Sequence, residues 1–94
     1  MSYVLVTVTV DSFDHFRSVF STRGQALRQR HGSGGAQILR HADDPERVAL
    51  LFPWAADDFR AFLADPEVKA SMQASGTLGP PQITYLEAPI ALAA

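Results

Sequence analysis

Few side chains in this 94-residue sequence have the chemistry of a catalytic group. His41 could act as a general base, because an unperturbed imidazole titrates near neutral pH. It precedes Asp43 and Asp44, so an exposed histidine beside carboxylates is the alternative interpretation. Arg40 and Arg47 flank the same segment and could hold a carboxylate or a phenolate, although such arginines are more often solvated or paired with neighbouring acids. His41 and Arg40 are the residues we predict to be catalytic.

Trp54 is the only tryptophan of the chain and follows Phe52 at the end of an apolar segment. Its indole could form the wall of a pocket and stack on a planar ligand; the alternative is a core aromatic whose N–H is satisfied by a neighbour. We expect the pocket to lie between a sheet and its helices. The predicted ligand-binding residues are Trp54, Phe52, Gln37, Phe20 and Phe59.

Composition excludes several classes of protein. The chain has no cysteine, and His15 and His31 lie more than about four helical turns apart, so neither a thiolate site nor a shared histidine site for a metal is expected. The net charge of −2 argues against a nucleic-acid partner. The apolar N-terminal run is shorter than a membrane span and has no signal-peptide pattern. We therefore predict no metal, cofactor, nucleic acid or membrane, and a cytoplasmic location.

These side chains must be positioned by four strands and two helical regions. Residues 3–10 alternate between valine and more polar positions, which predicts a strand with one buried face. Residues 36–42 and 47–54 flank an Asp/Pro-containing turn and predict a hairpin. Residues 82–87 alternate again and predict a last strand. The order βαββαβ predicts an α+β, ferredoxin-like sandwich with an antiparallel four-stranded sheet, in one domain over residues 1–94.

Two helical regions connect these strands. Apolar residues at a 3.6-residue spacing predict one helix over residues 13–31, capped by Asp11 or Ser12, with Gly24 as a packing or kink position. Four arginines on it are interpreted as a solvated face: Arg17, Arg23, Arg28 and Arg30. After Trp54 a second helix is expected to end at Asp65, which caps a third helix that ends at Gly76.

The hairpin register decides which side chains share a face. Pairing Ala42 with Arg47 would place Gln37 and His41 on the face of Trp54. The second face of the sheet would then be too apolar for water, and another copy of the same sheet would cover it through a twofold axis. The residues predicted on that second face are Tyr3, Leu5, Ile38, Leu51 and Leu86. We therefore predict a homodimer.

The sequence resembles the dimeric α/β-barrel superfamily, specifically the small antibiotic biosynthesis monooxygenase-like proteins. The resemblance covers nearly the whole chain as a pattern and includes the strand that runs into Trp54, the helix of residues 55–63 that follows, and the Gly79-Pro80-Pro81 entry to the last strand. By this resemblance the family includes cofactor-independent oxygenases of polyketide-like phenols, haem-degrading oxygenases and small isomerases. The chain departs from both oxygenase types, since it has no asparagine and no histidine on the helices after Trp54.

The resemblance implies a small-molecule enzyme similar to cofactor-independent monooxygenases or cyclases that act on aromatic or polyketide-like compounds. The alternative is a non-catalytic small-ligand-binding protein or a structural homodimer. Residues 88–94 contain a proline and little to bury, so we expect a loose tail or a segment that lies on a partner. A small aromatic molecule and a second copy of the chain are the predicted partners.

Overall fold

A computed structural model of the protein describes residues 2–94, which form one sheet and four short helices. The elements follow in the order β1 (Ser2–Val10), α1 (Phe13–Ser21), α2 (Arg23–Arg30), β2 (Gln37–Arg40), β3 (Arg47–Pro53), α3 (Ala56–Ala64), α4 (Pro66–Ala74) and β4 (Thr77–Glu87). The strands are arranged β2-β3-β1-β4, and all neighbours are antiparallel. The helices pack on one face of the sheet, which confirms the predicted α+β, ferredoxin-like architecture.

The buried face of the sheet comes from the alternation in β1. Val4, Val6, Val8 and Val10 are all buried and point toward the helices, as predicted. The same face of β3 contributes Val48, Leu50 and Phe52, which pair with residues of β1 in register. The hydrophobic core therefore lies between this face and the four helices.

The hairpin of β2 and β3 is shifted by one residue from the predicted register. Arg40 pairs with Val48 and Gln37 pairs with Leu51, whereas the prediction required Ala42 to face Arg47. Because side chains alternate between faces, this shift moves every β2 residue to the opposite face. Ile38 therefore points toward the helices, and Gln37 lies on the outer face of the sheet. The predictions that Gln37 shares a face with Trp54 and that Ile38 lies on the second face are wrong.

The first helical region is two helices rather than one. It breaks at Thr22, not at Gly24, and Thr22 has φ −113° and ψ −87°. The hydroxyl of Thr22 donates to the carbonyl of Ser18 at 2.7 Å, and the hydroxyl of Ser21 donates to the carbonyl of Arg17 at 2.7 Å. Such hydrogen bonds to the carbonyl four residues earlier bend a helix. The hydroxyl of Ser12 caps α1 by accepting from His15 N–H, which confirms one of the two predicted caps.

The second helical region is divided at Asp65, as predicted. Its side chain accepts from the backbone N–H of Glu67 at 2.9 Å, and Pro66 occupies the first position of α4. Phe59 and Val68 are buried on the core side of α3 and α4. One residue thus ends one helix and begins the next.

The last strand is longer than predicted and begins at Thr77 rather than Gln82. Thr7 pairs with Gln82 and Thr9 with Leu78, so β4 has two more residues than β1 between these pairs. Gly79 in this bulge has φ +70°, which L-residues rarely adopt. The prolines that follow lack an N–H group and are tolerated because the ladder is interrupted there. The bulge explains why the Gly-Pro-Pro segment, predicted to precede the last strand, lies inside it.

The outer face of the sheet and the C-terminal segment are the most exposed apolar regions that the structure describes. Leu39 and Leu86 point outward from β2 and β4, with exposed fractions of 51% and 42%. Residues 88–94 form no helix or strand, and Ile90 and Leu92 are almost fully exposed. None of the helices in residues 2–94 has both the length and the apolar character needed to cross a bilayer.

Candidate functional site

A cavity of about 80 Å³ lies between the helices and the buried face of the sheet. Its floor is formed by Val6 and Val8 of β1 and Leu50 of β3, and its walls come from all four helices and β4. The lining is largely apolar, because the alternating strands and the inward stripes of the helices present mainly hydrophobic side chains there. An apolar space of this size can take part of an aromatic or polyketide-like molecule, such as the edge of a ring.

Three of the predicted ligand-binding residues line this cavity. Phe20 of α1, Phe52 of β3 and Phe59 of α3 converge on it. The Phe20 and Phe52 rings have centroids 6.1 Å apart, and those of Phe52 and Phe59 are 6.2 Å apart. Rings at these separations are in contact with one another, so the three phenylalanines form one continuous aromatic part of the lining.

Trp54 does not line the cavity. Its indole is 3% exposed and packs against Phe52, Phe59 and Phe62, with ring centroids at 5.5, 5.3 and 4.8 Å. The indole Nε1–H donates to the backbone carbonyl of His31 at 2.9 Å. A satisfied N–H and three aromatic neighbours are the features of a core residue. The structure supports the packing interpretation of Trp54.

The two residues predicted to be catalytic lie at the hairpin, away from the cavity lining. His41 is exposed, and its Nδ1 accepts from the backbone N–H groups of Asp43 and Asp44, each at 3.2 Å. Arg40 is also exposed; its Nε donates to the carbonyl of Pro45, and its guanidinium lies 4.3 Å from the centroid of the Phe13 ring. Both side chains are used to fix the turn and its contact with α1. Neither is brought together with the predicted aromatic wall.

Arg28 is the cavity residue that the sequence pattern misses. It was interpreted as part of a solvated helix face, but it is 8% exposed and lines the cavity. Its Nη1 donates to the carbonyl oxygen of Phe20 at 2.9 Å, and its guanidinium lies 3.8 Å from the centroid of the Phe20 ring. Burial lowers the pKa of Arg28 to about 10, so the side chain is still cationic at neutral pH. The spacing of the sequence does not reveal this contact, because Phe20 lies on α1 and Arg28 on α2, on either side of the break at Thr22.

The remaining polar groups of the lining are hydroxyls near the end of α4. The hydroxyl of Ser75 donates to the carbonyl of Met72 at 2.6 Å and lies 3.0 Å from the hydroxyl oxygen of Thr77. Ser71 is buried and is a further small polar residue of the lining. Among residues 2–94, no histidine, aspartate or glutamate lines the cavity.

A second polar cluster joins α2 to α4 outside the cavity lining. The ring Nε2 of His31 lies 2.9 Å from an Oδ2 of Asp65, and the same oxygen accepts from Arg30 Nη1 at 3.2 Å. The hydrogen bond from His31, and then those from Glu67 N–H and Arg30, hold the pKa of Asp65 below its usual range. In residues 2–94, no three histidine, aspartate or glutamate side chains are grouped as metal ligands would be. This cluster ties the two helix ends together.

Solved structures with this fold include proteins described as monooxygenases. A proposed antibiotic biosynthesis monooxygenase from Bordetella bronchiseptica superposes with a TM-score of 0.78 at 15% identity, over 95% of this chain and 97% of that one. A proposed antibiotic biosynthesis monooxygenase from Deinococcus radiodurans gives a TM-score of 0.68 at 21% identity, over 100% of this chain and 98% of that one.

A third similar structure belongs to a protein with a stated activity. SnoaB, a cofactor-independent oxygenase from Streptomyces nogalater, superposes with a TM-score of 0.73 at 23% identity, over 97% of this chain and 94% of that one. No protein-family model and no curated protein matches the chain. At these identities the likeness concerns the fold. The chain therefore has the fold of the antibiotic biosynthesis monooxygenase-like proteins over nearly its whole length.

Proposed function

We propose that this protein binds an aromatic or polyketide-like molecule in the cavity between helices and sheet and oxygenates it without a cofactor. The observation that supports this most directly is the apolar cavity itself, walled by Phe20, Phe52 and Phe59 and containing one buried cation. The fold shared with SnoaB, a cofactor-independent oxygenase, is consistent with the proposal. Fold alone would not suffice, because one fold supports many activities.

The reaction class needs no redox group on the protein. An activated methylene of the substrate supplies the electrons: CH₂ and O₂ give C=O and H₂O, with one oxygen atom entering the substrate and the other leaving as water. Negative charge would develop on the substrate before oxygen is reduced, and Arg28 is the cationic side chain among the described lining residues. A preorganised cation in an apolar surrounding stabilises such charge more strongly than water does.

The proposed roles of the other residues follow from their positions. Phe20, Phe52 and Phe59 hold the rings of the substrate, and Ser71 donates to one of its oxygens. His41 and Arg40 were predicted to be catalytic, but His41 is engaged by the turn and Arg40 by Pro45 and Phe13. Their exposure at the hairpin gives no support to a proton-transfer role in this cavity.

A second candidate is a small-ligand-binding protein without catalysis. The specific observation in its favour is that no histidine or carboxylate lines the cavity, so the protein offers no general base there. An oxygenase with this lining must receive a substrate that is acidic enough to ionise by itself. The two candidates share the binding site and differ only in turnover.

Oxygen uptake with anthrone as the substrate separates the two candidates. We expect consumption of one O₂ per anthraquinone formed, at a rate above the uncatalysed one and unchanged by a chelator. Ser71→Leu should abolish this activity by occupying the cavity, whereas Ser18→Leu, the same change at an exposed position of α1, should not. Binding without uptake would favour the non-catalytic candidate. Absence of both binding and uptake would reject the cavity as the site.

We also propose that the protein works as a homodimer through the outer face of the sheet. That face carries partly exposed apolar side chains on all four strands, including Leu5, Leu39, Leu51 and Leu86. A sheet face of this kind is normally covered by another layer, and a second copy related by a twofold axis is the simplest cover. The exposed segment of residues 88–94 begins next to this face and would extend the contact.

A further inference from the structure

Arg28 is buried in an unusual way for a charged side chain. A guanidinium has five N–H donors, and in residues 2–94 its one hydrogen bond is from Nη1 to the carbonyl of Phe20. No aspartate or glutamate of residues 2–94 forms an ion pair with it; the ion pairs there belong to Arg30, His31 and Arg60. No fully buried side-chain nitrogen or oxygen in residues 2–94 lacks a hydrogen-bond partner, so the other guanidinium nitrogens of Arg28 reach the surface. Arg28 therefore has a positive charge that no acidic side chain of residues 2–94 compensates and that a bound anion could reach.

The position of Arg28 defines where a compensating group would lie. Arg28 and Phe20 line both the inner cavity and an outer groove of about 400 Å³ between α2 and the segment before β2. The groove is also lined by polar side chains, including Ser21, Gln25 and Gln29. The guanidinium thus stands at the boundary between an apolar interior and a polar opening.

Cavity size also limits the ligand. An engineered apolar void of about 150 Å³ holds benzene, so a cavity of about 80 Å³ does not enclose a complete ring system. A ligand whose ring enters this cavity must extend past Arg28 into the groove. Its polar substituent would then lie at the guanidinium rather than deep in the apolar lining.

We propose that the site takes its ligand as a preformed organic anion, an aromatic carboxylate or an acidic phenol already ionised in solution, with one edge of the ring system in the apolar cavity and the charged oxygen on Arg28. This deepens the proposed function, on which it depends for the location of the site. The ligand leaves its proton in solution, so the absence of a histidine or carboxylate from the lining is no obstacle to binding. Neutral molecules of the same shape would leave the Arg28 charge uncompensated.

Gly24 keeps the arginine in this position. A Cβ atom at residue 24 would lie 3.1 Å from Nη1 of Arg28 and 3.4 Å from the carbonyl oxygen of Val19. A side chain at residue 24 would therefore displace the guanidinium by a few tenths of an ångström from its place over Phe20. Gly24 acts as a positioning residue for the anion site.

The test is calorimetric titration of the full chain with 2-naphthoate and with 2-naphthamide, which share shape but differ in charge. We expect naphthoate to bind about tenfold more tightly or better, as for a hydrogen-bonded charge pair. Arg28→Met should bring the two affinities to within about twofold of each other, because naphthoate loses a charge-assisted hydrogen bond whereas naphthamide loses at most a neutral one. Arg28→Lys should retain part of the preference, which a purely structural role for residue 28 would not predict.

The other outcomes are equally decisive. Equal affinities in the wild-type protein, or a naphthoate preference that persists in Arg28→Met, would overturn the anion site while leaving the proposed cavity intact. If naphthoate still binds to Ser71→Leu, the anion lies in the outer groove alone, and the proposed anion site is overturned as well. Binding of neither molecule would reject the proposed function together with this inference.

Discussion

The guanidinium of Arg28 covers the ring of Phe20 at 3.8 Å from its centroid and also donates to the carbonyl oxygen of Phe20 at 2.9 Å. One residue of α1 therefore fixes a residue of α2 through both its side chain and its backbone. The contact spans Thr22, the residue at which the two helices meet. The arginine is held in a defined position without a negatively charged partner.

Arg28→Met should fold with a free energy of unfolding within about 1 kcal/mol of the wild-type value, or higher. The substitution loses one hydrogen bond and a cation–π contact but removes the cost of burying an unpaired charge. Urea unfolding followed by circular dichroism measures this difference. A loss of more than about 2 kcal/mol would mean that Arg28 is there for stability.

Gly24→Ala should weaken naphthoate binding more than naphthamide binding. The added Cβ contacts Nη1 of Arg28 at 3.1 Å and forces the guanidinium to shift. Calorimetry at neutral pH measures the two affinities. Ala26→Gly, a reverse change at an exposed position of α2, is the control and should alter helix stability by about 1 kcal/mol without changing the ratio. If the ratio of naphthoate affinity to naphthamide affinity is unchanged in Gly24→Ala, Gly24 does not position the anion site.

Trp54→Phe should lower stability rather than ligand affinity. The variant loses the hydrogen bond from the indole to the His31 carbonyl and part of the packing on Phe62, a cost of about 1–3 kcal/mol. Thermal unfolding followed by circular dichroism measures the loss, and Tyr85→Phe, at a 42% exposed position, serves as the near-neutral control. Weaker ligand binding with unchanged stability would instead restore the indole as the stacking platform.

Asp65→Asn should alter how the free energy of unfolding depends on pH in the acidic range. The folded-state pKa of Asp65 is depressed, chiefly by the hydrogen bond from His31, so the unfolded chain takes up this proton first as the pH falls. The stabilisation is complete above the unfolded pKa of about 3.9 and is lost as the pH drops through the folded pKa. The difference in free energy of unfolding between the wild type and Asp65→Asn should therefore be largest at neutral pH and become smaller below about pH 4.

Urea midpoints at a series of pH values measure that difference. Asp57→Asn is the matched control, because Asp57 is almost fully exposed and pairs only with Arg60 one turn away. It should show little change at any pH. A difference for Asp65→Asn that is the same at all pH values would indicate that packing, not charge, determines the contribution of this residue.

Leu51→Lys should give a folded monomer if the outer face forms the dimer interface. Leu51 points outward and is partly exposed, whereas Leu50 is 5% exposed and lies in the core. Sedimentation equilibrium with circular dichroism distinguishes loss of dimer from loss of fold. Leu50→Lys, the same change one residue earlier, should unfold the chain instead. A wild-type protein that sediments as a monomer would reject the interface altogether.

Burial periodicity explains which parts of the fold were predictable. The valines of β1 alternate without exception, and the Asp65-Pro66 pair has the cap and first-turn chemistry of a helix start, so both were predicted correctly. Strand β2 has only four residues, three of them exposed, and therefore no alternation that could fix its register. Its pairing is set by the turn, where His41 and Asp44 side chains accept backbone N–H groups.

The candidate site was predictable only in its apolar part. The aromatic positions Phe20, Phe52 and Phe59 follow from the same periodicities as the core, so they were identified. Arg28 could not be distinguished from the solvated arginines by residue type, because its burial depends on the break at Thr22 and on the missing side chain at Gly24. Trp54 was assigned to the pocket because of its chemistry, but its place is decided by the carbonyl of His31.

The helical layer has two breaks, at Thr22 and at Asp65, and a single residue separates the two helices at each break. A straight helix through either region would be about 27 Å long and would keep a constant distance from the sheet, so no cavity would remain beneath it. The concavity over the strands is therefore a property of backbone angles more than of side-chain size. Substitutions at Thr22 or Asp65 would therefore change the size of the cavity without changing the sheet or its outer face.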